Sequence, residues 1–144
     1  MNLRVTYLLG MMLALLFLSK AEARDYSALV VDADSGRVLY ERFPSELRHP
    51  ASITKIMTLY LVFEALERGE LTLNTPLTVS RNAVLKPPSR LGLTPGDTLA
   101  VEDAVLALVT RSANDAATVI AENLAGSETA FAEMMTAKAH ALGM

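Results

Sequence analysis

The chain has 144 residues, 51% of them hydrophobic, and a formal net charge of −3. That length suits one domain, and the acidic balance argues against a nucleic-acid-binding surface. With no cysteine and two histidines, neither a disulfide framework nor a zinc site is expected.

Residues 1–23 read as a secretory signal peptide. Arg4 gives a positive start, residues 5–18 form a mostly apolar run, and Ala21-Glu22-Ala23 has the A-x-A pattern of a cleavage site. The run is shorter than the roughly 20 apolar residues of a membrane span. An exported chain is therefore expected, with Arg24 at the mature N-terminus and a formal charge of −4 over residues 24–144.

Residues 26–32 and 37–43 are strand-like and joined by Asp34-Ser35-Gly36, a hairpin turn signal. Pro44 and Pro50 bracket a loop. A helix is expected from Ser52, with Ile53, Ile56, Met57, Tyr60, Leu61 and Phe63 as its apolar face, ending at Arg68-Gly69. Residues 71–96 are rich in Thr, Pro and Gly and read as a surface crossing with short extended pieces such as residues 77–79. Asp97-Thr98-Leu99 leads into a helix that stops near Thr110. Asn114 or Asp115 is expected to cap the next helix, which ends at Gly126. Ser127 caps a last helix, with Glu128 in its first turn and Gly143 at its end. Met57, Met134 and Met135 read as core filler.

Four apolar-faced helices need a large surface to pack on, and one hairpin is marginal in water. The pattern is that of the front part of a longer α/β domain.

The chemistry-bearing residues fall into two runs. Ser52 and Lys55 stand three apart in Pro50-Ala51-Ser52-Ile53-Thr54-Lys55, so the hydroxyl and the amine share a helix face. A serine becomes nucleophilic when a base takes its proton. The helix start favours an oxyanion beside the Ser52 N–H and disfavours a charged amine. Alone the pair is weak, because S-x-x-K arises by chance in roughly every second or third chain of this length. A serine at a helix start is usually only a cap, and a first-turn lysine usually only solvated.

The second run, Ser112-Ala113-Asn114, completes an S-x-x-K plus S-x-N signature of serine-acylating enzymes. Ser112 can relay protons, and the Asn114 amide can hold a substrate carbonyl or Lys55. A plain helix cap is the competing reading of Asn114. Ser80-Arg81-Asn82 is a second S-x-N, but it lies in a polar stretch and its arginine would crowd the lysine. His49 and His140 read as a loop residue and a surface residue. There is no G-x-S-x-G, which argues against a Ser-His-Asp hydrolase.

These runs, with Gly96-Asp97, Val101-Glu102-Asp103, Asp115-Ala116-Ala117, the opening Ala28-Leu29-Val30-Val31-Asp32 and the ending Ala141-Leu142-Gly143-Met144, resemble the low-molecular-weight penicillin-binding proteins, serine-type D-alanyl-D-alanine carboxypeptidases. The resemblance implies the mixed α/β (α+β) fold shared by penicillin-binding proteins and β-lactamases, with residues 24–144 as the N-terminal part of the catalytic domain. By it, Ser52 is the acylated nucleophile, Lys55 its general base, Ser112 a proton relay and Asn114 a substrate contact. The substrate would be the D-Ala-D-Ala end of a peptidoglycan stem peptide, penicillins would acylate the same serine, and no cofactor or metal is implied. The location would be the periplasm or the outer face of the cytoplasmic membrane, with no anchor in these 144 residues.

The family's K-T-G element does not occur among them; the only lysine after Asn114 is Lys138, followed by Ala139 and His140. Loss of one oxyanion donor costs about 10²–10³ in rate, so little turnover is expected of these residues alone. The alternatives are a class A β-lactamase-like hydrolase, disfavoured by Ala113 in the middle of the motif, and an inactive binding fragment.

Overall fold

The computed structural model describes residues 26–144; the expected signal peptide lies outside them. The chain divides into two compact units, one ending at His49 and one spanning Pro50–Met144.

In the first unit, β1 (Ala28–Val31) pairs antiparallel with β2 (Val38–Arg42), with Leu29 opposite Glu41 and Val30 opposite Tyr40. The register shifts between Val30 and Val31. The expected turn closes the hairpin: Gly36 sits at φ +70 and the Asp32 carboxylate accepts from the Ser35 N–H at 2.9 Å. Hydrogen bonds from the Ser35 side chain and backbone hold the Asp32 carboxyl below the usual carboxylate range. Leu29, Val30, Leu39 and Tyr40 are all exposed. Apolar residues on both faces are the pattern of strands that interior sheets cover on both sides.

The second unit is helical. A 3₁₀ turn (Ala51–Ile53) runs into α1 (Thr54–Glu67), so regular α-helix begins two residues after Ser52. Gly69 at φ +70 follows its end. The strand β3 (Pro76–Thr78) pairs antiparallel with β4 (Thr98–Ala100), with Leu77 opposite Leu99 and both buried. This second sheet corrects the expectation that residues 97–99 only lead into a helix. Three residues are too few to show alternation. Between the strands lies α2 (Arg81–Val84), also unforeseen, capped by Ser80, whose Oγ accepts from the Ala83 N–H at 2.9 Å.

Then follow α3 (Val101–Arg111), α4 (Asn114–Ala125) and α5 (Glu128–Ala141). Glu102 and Asp103 occupy the first turn of α3, where acids favour the positive helix end. Gly126 at φ +78 ends α4, and the Ser127 Oγ accepts from the Ala130 N–H as expected. Neither Asn114 nor Asp115 caps α4 in the expected way: Ala113 is the N-cap residue and no side-chain cap bond forms.

The core of this unit is built around α4, which packs against α1, α2, α3, α5 and β3. Ala116, Val119, Ile120 and Ala121 of α4 meet Leu61 and Val62 of α1, Ala104 and Leu108 of α3, and Phe131 of α5. Met135 is half-buried against the core, whereas Met134 is exposed and fills nothing. On α1 the expected face divides. Leu61, with Thr58, Val62 and Ala65, turns inward, while Ile53, Ile56, Tyr60 and Phe63 are exposed. Lys138 pairs with Glu64 at 2.7 Å and ties α5 to α1. No helix among the described residues is long and apolar enough to cross a membrane.

Candidate active site

The start of α1 and the α3–α4 junction meet at Lys55 and Asn114. Lys55, in the first turn of α1, is half-buried and donates from Nζ to Asn114 Oδ1 at 2.6 Å. This bond joins the two sequence runs across 59 residues. Ser52 lies one turn earlier and is exposed. Ala51, directly before it, holds φ +50, a left-handed conformation that a residue with a Cβ rarely adopts and that clusters at functional sites.

Ser112 ends α3, also left-handed at φ +53. Its Oγ is buried without a hydrogen-bond partner among the described residues. A buried hydroxyl left unpaired costs about 1–3 kcal/mol and calls for an explanation.

Asn114 is held from the other side by a strap of residues 85–92. Its Nδ2 donates to the carbonyls of Pro87 at 2.9 Å and Pro88 at 3.3 Å, and its backbone N–H donates to Ser89 O at 2.7 Å. Both side-chain ends of Asn114 are thus engaged, and the amide orientation is set: oxygen to the lysine, nitrogen to the carbonyls. The helix-cap reading of Asn114 is excluded by this geometry.

Asp115 is fully buried. Its carboxylate accepts from the Leu91 N–H at 2.9 and 3.0 Å, from the Gly92 N–H at 2.9 Å and from the Ala116 N–H at 2.9 Å. It clamps the far end of the strap. The sequence reading did not assign a site role to Asp115 or to the strap. An acid set among Ala113, Ala116 and Ala117 was the available signal, since an unpaired carboxylate is rarely placed on an apolar helix face.

A cleft of about 340 Å³ opens beside the Lys55–Asn114 bond, lined by Thr54, Lys55, Asn114, Thr118, Lys86 and Glu128 among others. Glu128 Oε2 accepts from Lys86 Nζ at 2.6 Å and from Asn82 Nδ2 at 2.9 Å, and Oε1 accepts from the Thr118 hydroxyl at 2.9 Å. Partial burial opposes its charge, but the bonds from Lys86, Asn82 and Thr118 outweigh burial and hold its carboxyl below the usual range. Ser80 and Asn82, the alternative S-x-N, are spent on the α2 cap and on this network. His140 is exposed at the end of α5, and Lys138 is engaged with Glu64. Among the described residues no group of His, Asp and Glu is arranged to hold a metal ion.

A family model described as D-alanyl-D-alanine carboxypeptidase matches residues 17–144. The chain is 36% identical over 118 residues to D-alanyl-D-alanine carboxypeptidase DacF of Bacillus subtilis, covering 82% of this chain and 30% of that protein. Among solved structures it resembles the D-alanyl-D-alanine carboxypeptidase DacD of Francisella tularensis, with a TM-score of 0.74 and 31% identity, covering 88% of this chain and 30% of that one. It also resembles penicillin-binding protein D2 of Listeria monocytogenes in its ampicillin-bound form, with a TM-score of 0.69 and 34% identity over 82% of this chain and 46% of that one. The chain thus spans about a third of the curated relative's length, with the incomplete mixed α/β architecture that the resemblance implied. This chain belongs to the D-alanyl-D-alanine carboxypeptidase family of serine peptidases.

Proposed function

We propose that the Ser52–Lys55–Ser112–Asn114 site performs serine acyl transfer on the D-alanyl-D-alanine end of peptidoglycan stem peptides, in an exported protein at the periplasm or the outer face of the cytoplasmic membrane. The observation that carries this reading is the 2.6 Å bond from Lys55 Nζ to Asn114 Oδ1. It supports the reading because it ties to Asn114 the amine of the residue that follows the exposed Ser52 by three positions.

In the first half-reaction Ser52 Oγ attacks the carbonyl carbon of the penultimate D-alanine, and Lys55 takes the hydroxyl proton. The Ser52 N–H, at a helix start, faces the oxyanion. The C–N bond then breaks, and the proton passes from Lys55 through Ser112 to the leaving D-alanine nitrogen. The buried, unpartnered Ser112 hydroxyl suits this relay, because a free donor and acceptor can exchange partners during proton transfer. In the second half-reaction water gives its proton along the same route and attacks the ester. The acyl product leaves and Ser52 regains its proton. A penicillin would enter by the same attack, its ring amide bond breaking to leave a penicilloyl ester.

A fluorescent penicillin incubated with the purified chain tests this. Covalent label on Ser52, absent in Ser52→Ala, is the expected result; an unlabelled but cooperatively folded chain would leave the inactive-fragment reading standing. Release of D-alanine by the 144 residues alone is expected to be slow, about 10²–10³ below a site with a second oxyanion donor. Turnover at the rate of an ordinary enzyme in a D-alanine assay would contradict that expectation.

A further inference from the structure

We propose that Glu128 is a positioning residue for Lys55, acting through the strap of residues 85–92 and Asn114. The inference rests on the reading of Lys55 as the base. The strap carries Pro87 and Pro88 in succession, and proline has no N–H to tie it down. Its carbonyls face Asn114 Nδ2; the Leu85 and Lys86 N–H groups bond back to the Asn82 and Ala83 carbonyls of α2, and carboxylates from outside add an anchor at each end.

Asp115 anchors the end at Leu91 and Gly92. Glu128 anchors the other end, through Lys86 Nζ at 2.6 Å and Asn82 Nδ2 at 2.9 Å. Its remaining oxygen is fixed to α4 by Thr118. Asn82 also donates to Glu122 Oε1 at 2.8 Å, which binds α2 to α4 in the same network. One carboxylate at the start of α5 therefore joins α4, α2 and the strap.

Magnitude separates this role from stabilisation. The Glu128 side chain is 43% exposed and that of Lys86 25% exposed, and an ion pair at such a site contributes about 0–1 kcal/mol. The same pair governs where the Pro87 and Pro88 carbonyls lie, and with them Asn114 and the amine. A displacement of about 1 Å at a reacting group can cost up to a hundredfold in rate.

The experiment compares the full chain with Glu128→Lys, Lys86→Glu and the double variant that exchanges the two charges. Two readouts are taken: the rate of Ser52 labelling by a fluorescent penicillin, and hydrogen exchange at the Asn114 backbone amide, which donates to Ser89. Each single change is expected to slow labelling about tenfold and to speed exchange about tenfold. The exchanged pair restores the ion pair but not the acceptors of Asn82 and Thr118, so both readouts are expected to recover in part, to between the single variants and the parent. Because a pair that only stabilised the fold would be rescued as well, thermal melting of all four proteins is followed alongside, and a role in stability alone would leave the labelling rate of the fully folded single variants at the parent value. The proposal is overturned if the single variants match the parent, or if the exchanged pair is as impaired as the singles. If the parent takes no label, the acyl-transfer reading falls, and the exchange readout alone then decides whether Glu128 holds the strap.

Discussion

Asp115→Asn is expected to lower the unfolding free energy of the Pro50–Met144 unit by about 3 kcal/mol. The change keeps volume and shape, so any loss comes from hydrogen bonding and charge. The carboxylate receives Leu91, Gly92 and Ala116 N–H groups in a fully buried site. An asparagine has one oxygen for these donors and must aim its NH₂ at the others. At least one backbone N–H is then left buried without an acceptor, at about 1–3 kcal/mol, and the remaining bonds lose their charge assistance. For a unit of this size the melting temperature should fall on the order of 15 °C. The strap should loosen, and Ser52 labelling should slow with it. Thermal unfolding followed by circular dichroism is the check. A variant melting within about 3 °C of the parent would mean that Asp115 is not the anchor its contacts suggest.

Lys55→Met should act in the opposite proportion, with a small effect on stability and a large one on chemistry. The methionine keeps the stem of the side chain and removes only the amine. Asn114 loses one donor but is half-buried, so water can replace it, and stability should change by no more than about 1 kcal/mol. Penicillin acylation of Ser52 should slow by about 10²–10⁴, the contribution of a positioned general base. Lys55→Arg should fail similarly. A guanidinium can donate to Asn114 Oδ1, but it stays charged and cannot accept the serine proton. Stopped-flow quenching of a fluorescent penicillin would measure both variants. An arginine variant that kept more than about a tenth of the parent rate would rule out Lys55 as the base.

Much of this arrangement was legible in the residues themselves, because it depends on local spacing. The hairpin around Asp34-Ser35-Gly36, α1 and its ending at Gly69, and α3, α4 and α5 with their Gly126 and Ser127 signals follow from periodicity and capping. So does the adjacency of Ser52 and Lys55 on one turn. Short elements were only partly legible: the extended piece expected at residues 77–79 overlaps β3, whereas β4 and α2 were not foreseen. The three-residue strands β3 and β4 and the four-residue helix α2 carry too few residues to show a period. They form because Leu77, Leu99 and Ala83 are buried against the helices.

What the linear order of residues decided is the set of candidate groups, since a hydroxyl and an amine three residues apart stay within one turn of each other wherever that turn is placed. Tertiary structure decided which groups meet over distance. It set Asn114 against Lys55, gave the Asn114 amide its orientation through two proline carbonyls, and assigned Asp115 and Glu128 to the ends of the strap. Such pairings depend on where backbone carbonyls and N–H groups of a non-repeating segment come to lie. No spacing rule encodes that, because it is settled by the burial of the helices around α4.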